Sequence, residues 1–378
     1  MFWFLWTVVF VCALWAALSL LPAGADAHMP LPYLIALVPL LWVPTIAVAV
    51  AAIVMREWGL LCGAIAAGLL SQMHEAGYWT NYSLNRSILQ LVQRSSSSSK
   101  TPAHRQPTTA ELLATIRETR RETDITARET ASDILSERTS AAATINVMTL
   151  NCRYGRADAK SIVAMVLSRN ITVLALQELT HELVQDLNDN GLDLLLPYHQ
   201  LGEDRSDQDN GGFNGIWIRV DPQSSEQSAV SIDAADVPSI TIPVDATRDI
   251  TFASAHPKSP MRGTHAWSAG IIGLGNLATV ATAERNNSGG NRNITVILGD
   301  LNSSMAHPSF RALLKSGFID ANISVGQGAQ RTFPSWLPWP RIVLDHVIAT
   351  TGATFTDVKS TTIEHTDHLA LTATLTIR

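Results

Sequence analysis

The sequence predicts an α/β domain of two stacked β-sheets flanked by helices, preceded by an N-terminal transmembrane helical region. Three observations lead to this fold class. Residues 1–73 hold long apolar runs, and residues 74–141 are polar and of low complexity. Residues 142–378 alternate eight short apolar runs, which predict strands, with four helical patterns at 158–169, 179–189, 264–285 and 306–315. We therefore expect three transmembrane helices, then a linker or stalk, and then one large α/β domain over these three ranges.

The apolar runs of the first part are long enough for a bilayer. Residues 1–22 carry no charged side chain, and as a helix they would reach about 33 Å. Residues 33–55 form a second such run, and residues 59–73 a shorter third. The first run lacks the basic segment of a signal peptide and exceeds its apolar length. We expect three spans, with two spans and a re-entrant segment as the alternative.

The basic residues beside these runs bear on orientation. Arg56 lies in the short turn between the second and third runs, while residues 23–32 contain no Lys or Arg. Cytoplasmic loops are enriched in basic residues, which places Arg56 in the cytoplasm and the C-terminal domain outside. Basic residues that follow the third run favour the opposite orientation, with the C-terminal domain in the cytoplasm. We predict a multi-pass cell-membrane protein whose C-terminal domain is extracytoplasmic.

The stalk is predicted to contain one helix. Residues 94–107 are a serine-rich linker, a composition that is typical of flexible segments. Thr108 and Glu111 then form a capping box, which opens a polar helix that runs to about residue 138. Acidic and basic side chains nearly cancel along this helix. A solvated spacer is therefore the better interpretation than an arm that binds nucleic acid.

Polar residues collect where the predicted strands of residues 142–378 begin or end. They are Asn151, Gln177 with Glu178, His256, Asp300 with Asn302, Asp345 with His346, and Asp367 with His368. Each position taken singly is explained by a turn or a helix cap. Six such positions on the ends of buried strands are harder to explain in that way. We expect them to converge on one rim of the domain.

The residue types in this set have a chemistry in common. Carboxylate and amide oxygens are the hard ligands that Mg²⁺ prefers, and histidines can hydrogen-bond phosphate or move protons. A histidine beside a buried carboxylate is fixed in one tautomer and is more basic. The set fits the attack of water on a phosphorus atom beside a metal ion.

The order of these motifs resembles the endonuclease/exonuclease/phosphatase superfamily, which includes DNase I-like nucleases, inositol phosphatases and neutral sphingomyelinases. The resemblance covers residues 145–378 and extends to the segment 331–336, "RTFPSW". It implies a DNase I-like four-layer sandwich. Three spans ahead of the domain resemble a bacterial membrane-anchored branch that includes a glycopeptide-resistance protein. The usual Ser-Asp-His-x-Pro motif reads Thr-Asp-His-Leu-Ala at 366–370, so the Asp-His pair is kept.

The resemblance also implies roles for individual residues. Glu178 is expected to be the principal metal ligand, with Asn151 beside it and Asp367 in support. The metal is expected to be Mg²⁺, with Mn²⁺ possible.

The remaining roles concern the phosphate and the proton. Asn302 and His256 are expected to contact the scissile phosphate. His368, oriented by Asp345, and Asp300 are expected to manage the attacking water and its proton. Which of His368 and Asp300 is the base stays open.

We therefore predict a membrane-anchored, Mg²⁺-dependent phosphoesterase that hydrolyses a phosphate ester or pyrophosphate, lipid-linked or small. Its expected partners are this substrate and the lipid bilayer, and no protein partner is predicted. Residues 142–378 hold 17 Lys or Arg against 23 Asp or Glu, a balance that suits duplex DNA poorly. A membrane-tethered nuclease that acts on DNA or RNA is the alternative. A catalytically inactive binding module is a third interpretation, which the complete set of polar residues disfavours.

Two other motifs suggest different chemistry. Residues 273–278, "GLGNLA", match a dinucleotide-binding fingerprint, but that motif needs an apolar strand directly before it, and the preceding residues offer few strand formers. "HTDH" at 365–368 resembles a transition-metal pair that lacks a third ligand, and "THEL" at 180–183 lacks the second histidine of a zinc protease.

Overall fold

The computed structural model describes residues 1–79, 144–205, 210–245, 248–278 and 292–377. The predicted stalk and its polar helix lie outside the described residues.

The N-terminal region contains helices α1 (Phe2–Ala17), α2 (Leu31–Ala36), α3 (Trp42–Met55) and α4 (Trp58–Gln72). Within the described residues, two helical stretches are long and apolar enough to cross a membrane, Phe2–Leu20 and Val38–Met55. The second was predicted to begin at residue 33, but it begins at Val38 because Pro39 cannot donate the hydrogen bond that a helix continuing from α2 would need. Helix α4 has 15 residues, or about 22 Å, so the count of three spans stays a prediction.

Helices α1, α3 and α4 pack side by side around a small apolar core of their own. Val9, Ala16, Ala52 and Ala64 are buried in it. The outward faces remain apolar and exposed, as they are at Phe10. Apolar surface of this extent on a folded protein marks contact with lipid or another apolar partner.

The α/β domain is built on two six-stranded sheets. The first contains β1 (Thr144–Asn151), β2 (Val173–Leu179), β3 (Tyr198–Leu201), β4 (Phe213–Ile218), β11 (Ala353–Thr362) and β12 (Leu369–Ile377), in the order β11-β12-β1-β2-β4-β3. The second contains β5 (Ser224–Glu226), β6 (Ser239–Asp245), β7 (Arg248–Ser254), β8 (Arg292–Asp300), β9 (Ile319–Asp320) and β10 (Asp345–Ala349), in the order β5-β6-β7-β8-β10-β9. The prediction of two stacked sheets is confirmed.

Helices cover the outer faces of both sheets. They are α5 (Ala159–Ser168), α6 (His181–Asp189) and α7 (Leu192–Leu195) on the first sheet, α8 (Thr264–Gly273) and α9 (Pro308–Lys315) on the second, and the short α10 (Ala321–Val325) beside β11. Between the sheets, side chains such as Val147, Phe252 and Leu371 are fully buried. The domain therefore has four layers, helix, sheet, sheet and helix, as a DNase I-like sandwich does.

All eight apolar runs that predicted strands form strands. Four strands were not predicted from the sequence, namely β3, β5, β9 and β11. β11 is ten residues long, but it lies at the edge of its sheet and exposes many of its side chains, so it lacks an apolar run. The helix predicted over 264–285 is α8, which ends at Gly273. Because α8 precedes "GLGNLA" where the dinucleotide fingerprint needs a strand, that alternative is excluded.

Strand direction explains why distant parts of the chain meet. β1 and β2 run parallel in the first sheet, and β7 and β8 run parallel in the second. β10 is antiparallel to β8 and places Asp345 opposite Asp300, while β12 is antiparallel to β1. The carboxyl ends of four strands and the amino ends of two thus share one edge of the sandwich.

Candidate active site

The predicted site residues come together at that shared edge. Seven of the eight line one cavity of about 500 Å³. They are Asn151, Glu178, His256, Asp300, Asn302, Asp367 and His368. The eighth, Asp345, lies behind His368, with its Oδ2 atom 2.8 Å from Nδ1 of the imidazole.

Asn151 joins the two sheets at the site. Its Nδ2 atom donates to Oε1 of Glu178 and to Oδ2 of Asp300, both at 3.0 Å. Its Oδ1 atom accepts from the backbone N–H of Arg153 at 2.8 Å. Both carboxylates are buried, so the amide separates two negative charges that would otherwise repel each other in a low-dielectric setting.

Glu178 is held in an unusual backbone conformation. Its φ is +54°, a left-handed value that is uncommon for any residue other than glycine. The residue lies in an irregularity of the β2–β4 pairing between Leu176 and Leu179, and its Oε2 atom accepts from the backbone N–H of Tyr154 at 2.9 Å. A Cβ on Gly211 would lie 2.7 Å from Oε2 of Glu178, so only glycine fits against this carboxylate. Such locally strained backbone is common at active sites.

The "GDLN" segment combines a turn with functional groups. Asn302 has a φ of +48°, and its backbone N–H donates to Oδ1 of Asp300 at 2.9 Å. A Cβ on Gly299 would lie 1.8 Å from the carbonyl oxygen of Ala255, so the glycine allows β8 to approach the chain that follows β7. The two residues therefore form a turn and also line the cavity, so the turn alone does not explain why they are there.

Two histidines flank the Asp300 carboxylate. Its Oδ2 atom lies 3.4 Å from Nε2 of His256 and 3.6 Å from Nε2 of His368. Burial alone would raise the pKa of Asp300, but the charge of His368 and the hydrogen bond from His256 outweigh it and hold this pKa well below its usual range. Asp300 is therefore an anion at neutral pH.

His368 is charged for the same reason. Burial lowers the pKa of His368, but the neighbouring carboxylates, Asp345 first and Asp300 next, outweigh burial and raise this pKa to about 10. For His256, burial is again opposed by Asp300, and the net effect is a raised pKa. The site thus places the cationic His368 imidazole and the His256 imidazole beside one carboxylate, an arrangement that can bind an anionic group and transfer a proton.

A second buried Asp–His pair lies apart from the cavity. Nδ1 of His346 is 2.7 Å from Oδ2 of Asp320, and its Nε2 atom is 2.9 Å from the carbonyl oxygen of Ser303. The ring packs against Phe310, with 4.2 Å between ring centroids. These contacts satisfy His346 within the core, so its place is structural.

The sequence was also compared with models of known protein families. Residues 148–368 match the sequence model of the Endonuclease/Exonuclease/phosphatase family. The chain belongs to this family. Members of the family are metal-dependent phosphoester hydrolases, and the chain is therefore an enzyme of that class. No curated protein matches the sequence.

The chain is also similar to several solved structures. A humanized TDP2 of D. rerio with 14 mutations is 16% identical, with a TM-score of 0.46 over 61% of this chain and 98% of that chain. A Bacteroides thetaiotaomicron mannosyl-6-phosphatase is 15% identical, with a TM-score of 0.45 over 61% of this chain and 99% of that chain. A family protein from Leptotrichia buccalis is 16% identical, with a TM-score of 0.44 over 62% of this chain and 99% of that chain.

The donor set of the site fits the divalent metal ion that this family uses. Ligand atoms of Asp300, Asp345 and His368 lie within 4.8 Å of one another, but the 2.8 Å contact between His368 and Asp345 is a hydrogen bond within a charged pair. Glu178, with Asp300 close by, is the more oxygen-rich set, and it faces a cavity with room for water. Mg²⁺ prefers such a site, because it keeps several waters and binds through one or two carboxylates. The amide oxygen of Asn151 accepts from the Arg153 N–H, so its role as a metal ligand stays a prediction.

Asp367 is one of two predicted site residues that are only half-buried, and the other is Asn302. The Asp367 side chain is 24% exposed, and its Oδ2 atom lies 3.6 Å from Nε of Arg153. It lines the same cavity as Glu178. A supporting role for Asp367 near the metal stays a prediction.

Sequence reasoning missed one buried polar residue of the cavity, Asn210. The Nδ2 atom of Asn210 lies 2.8 Å from Nε2 of His256, and its Oδ1 atom accepts from the backbone N–H of Ser259 at 2.8 Å. Asn210 precedes Gly211 and Gly212 directly. A polar residue before two glycines and a buried strand was the available signal, because glycines mark close backbone approach.

The raised pKa of His368 predicts a pH dependence of stability. Because the folded-state pKa of about 10 exceeds the usual value of 6.5, this proton stabilises the fold fully below about pH 6.5, and the effect is lost as the pH rises towards 10. Thermal unfolding of wild type and His368→Gln should therefore show a difference in Tm that shrinks between these pH values. A Gln200→Ala control on edge strand β3 removes no titratable group and should show no such trend. A difference in Tm that stays constant with pH would contradict the assignment.

Proposed function

We propose that the chain is a membrane-anchored, Mg²⁺-dependent phosphoesterase that hydrolyses a phosphate ester or pyrophosphate by the attack of water on phosphorus. One observation carries this proposal. The Asp300 carboxylate lies within 3.6 Å of two imidazoles and within 3.0 Å of the Asn151 amide, in the same cavity as Glu178.

Asp300 is the group best placed to handle the attacking water. As a buried anion it accepts a proton from water, while the oxygen of the water forms a bond to phosphorus and the bond from phosphorus to the leaving oxygen breaks. His368 carries a proton that can neutralise charge on the phosphate or on the leaving oxygen. Asp345 keeps the imidazole oriented through Nδ1, so that Nε2 faces Asp300 and the cavity.

The metal and the remaining side chains bind and orient the phosphate. Glu178, with Asn151 and Asp367 in support, would hold the ion, and a bound Mg²⁺ would polarise the phosphate oxygens. Asn302 and His256 flank Asp300 and would contact the phosphate. Asn210 positions His256 through the 2.8 Å contact at Nε2.

A lipid-linked or small phosphoester is the favoured substrate over nucleic acid. The acidic balance of residues 142–378, 17 Lys or Arg against 23 Asp or Glu, disfavours binding to the charged backbone of a duplex. A nuclease that acts on DNA or RNA is the alternative within the same family.

Product analysis tests the proposal and separates the two substrate classes. The full chain, purified in detergent with Mg²⁺, would be offered plasmid DNA, single-stranded RNA, a polyprenyl pyrophosphate and a phospholipid under matched conditions. We expect release of phosphate or a phosphate ester from a lipid-linked substrate. Nicked plasmid or shortened RNA with intact lipids would establish the nuclease instead, and turnover of none would refute both.

Membrane anchoring makes a separate prediction about topology. The ends of α1 and α4 and the start of α3 lie on the side of the α/β domain, as the contacts of Ser19, Glu75 and Trp42 with it indicate. Arg56 lies at the opposite end of α3, and with Arg56 in the cytoplasm the domain is extracytoplasmic. A reporter that is active only in the cytoplasm, fused after residue 378, should stay inactive. A periplasmic or surface reporter is the matched control, and the reverse pattern would contradict the orientation.

A further inference from the structure

One wall of the catalytic cavity comes from the N-terminal region. Pro32, Tyr33 and Ala36 of α2 line it together with Asp300 and His368. Helix α2 lies between the two long apolar stretches of the chain. The four-layer domain therefore does not complete the cavity by itself, and a segment from beside the apolar helices does.

A buried carboxylate fixes the start of this segment to the domain. Helix α9 begins at Pro308, and its N-cap residue, His307, makes no side-chain capping bond within the described part of the chain. Asp26 takes that place instead. Its Oδ2 atom accepts from the backbone N–H of Ser309 at 2.9 Å, and its Oδ1 atom accepts from the Ser309 hydroxyl at 2.6 Å. A carboxylate at a helix N-terminus accepts hydrogen bonds from N–H groups that have no partner within the helix, and its negative charge interacts favourably with the helix dipole.

Further bonds hold α2 itself. Nδ1 of His307 accepts from the backbone N–H of Ser304 at 2.9 Å, so Nε2 carries the proton and donates to the carbonyl oxygen of Pro32 at 3.0 Å. Nη2 of Arg311 donates to the carbonyl oxygen of Ser19. Ser19 and Asp26 precede α2 along the chain, and Pro32 lies in its first turn. The wall is therefore fixed relative to the catalytic side chains.

The outer rim of the cavity is apolar and lies beside the membrane helices. Met261 lines the cavity and is 82% exposed. Trp339 does not itself line the cavity, but it lies in the segment between the cavity-lining residues Phe333 and Ile342. It is 55% exposed and meets Trp42 at the start of α3, with 6.3 Å between ring centroids. Tryptophan is enriched at the level where a bilayer meets water. The contact places this rim at the end of the apolar helices, where a chain could pass from the cavity to lipid.

We propose that α2 is a substrate-binding element in which Tyr33 packs against an apolar chain attached to the scissile phosphate, so that the site selects amphiphilic phosphoesters over water-soluble ones. The proposal rests on the proposed function for the identity of the reacting group. Phe333, Ile342 and Leu344 add apolar surface to the same cavity. The catalytic side chains would hold the phosphate at the inner end, while Tyr33 contacts the chain on its way to the bilayer.

Two esters that differ only in their chain test this proposal. The full-length protein in detergent with Mg²⁺ would be given methyl p-nitrophenyl phosphate and hexadecyl p-nitrophenyl phosphate, which share the reacting phosphorus and the leaving group. We expect Tyr33→Ala to lower kcat/KM for the hexadecyl ester by about tenfold or more and to change the methyl ester by less than about twofold. Tyr33→Phe should keep the selectivity. Tyr198→Ala, which removes a tyrosine from edge strand β3, is the matched control.

A binding measurement separates this inference from the proposed function. Hexadecylphosphonate and methylphosphonate, which are not hydrolysed, would be titrated into wild type, Tyr33→Ala and the bulkier Tyr33→Gln, with a thermal melt to verify folding. Chain-dependent binding that needs Tyr33, without turnover of either ester, would uphold the inference and refute the phosphoesterase. Equal effects of the Tyr33 variants on long and short ligands, or no effect on either, would overturn the inference whatever the activity.

Discussion

Asp300→Asn is expected to lower turnover by at least ~10²-fold while leaving the domain folded, the scale of losing a general acid–base group. The asparagine keeps the size of the side chain and one oxygen for the Asn302 N–H that Oδ1 of Asp300 now accepts at 2.9 Å. It removes the negative charge between His256 and His368. The measurement is a rate and a thermal melt for each variant.

The second Asp–His pair of the domain provides the control. Asp320 is buried like Asp300 and hydrogen-bonds His346 at 2.7 Å, but it does not line the catalytic cavity. Asp320→Asn should therefore lower Tm and leave the turnover of the folded protein near wild type. If Asp300→Asn kept normal turnover, Asp300 would be no more than a turn residue and the mechanism proposed above would fail.

The Asp300 and Glu178 substitutions should also be strongly non-additive. Asn151 donates to the carboxylates of both Glu178 and Asp300 at 3.0 Å. Glu178 and Asp300 are therefore close enough to act on the same phosphate. Groups that act as a catalytic unit fail together. The double variant Glu178→Gln/Asp300→Asn should be little slower than either single variant, and fully additive losses would indicate two independent contributions.

Removal of divalent cations with EDTA is expected to abolish turnover, and Mg²⁺ or Mn²⁺ should restore it. The physical reason is that the buried Glu178 carboxylate offers hard oxygen ligands to the cavity, and such ligands suit these ions. Glu178→Gln should raise the Mg²⁺ concentration for half-maximal activity by at least ~10-fold. Glu226→Gln, an exposed glutamate on edge strand β5, is the matched control.

A readout besides activity keeps this prediction independent of the substrate. A ligand that binds only the folded state raises Tm with its concentration. Mg²⁺ should therefore raise the Tm of wild type and of Glu226→Gln, but much less that of Glu178→Gln. Turnover that persists in EDTA, or that requires Zn²⁺ alone, would contradict the metal assignment.

The strands that carry the site were predictable from sequence because they are buried. β2 and β10 are buried at every position, so they appear in the sequence as continuous apolar runs. The polar residues at their ends stand out against those runs. β11 was missed for the opposite reason, because an edge strand with one solvated face has no comparable apolar run.

Local patterns could not reveal contacts that depend on the path of the chain. Asn210 reaches His256 across 46 positions, and Asp26 caps α9 across 283 positions. The residues next to Asn210 and Asp26 in the sequence do not indicate which distant residue each of them contacts. The end of α2 before Pro39 could in contrast be predicted from the sequence, because a proline disfavours the continuation of a helix. The prediction missed it because residues 33–55 form one continuous apolar run.

The sequence by itself determined the two stacked sheets, the polar residues that meet at the candidate site and the family, because burial and strand ends leave a local signature in residue type. Only the tertiary structure decided that Asn151 lies between Glu178 and Asp300 and that Tyr33 lies in the same cavity. Those placements follow from the parallel pairs β1–β2 and β7–β8 and from the docking of α2 on the domain. They are long-range consequences of strand direction and packing, which no stretch of the sequence encodes alone.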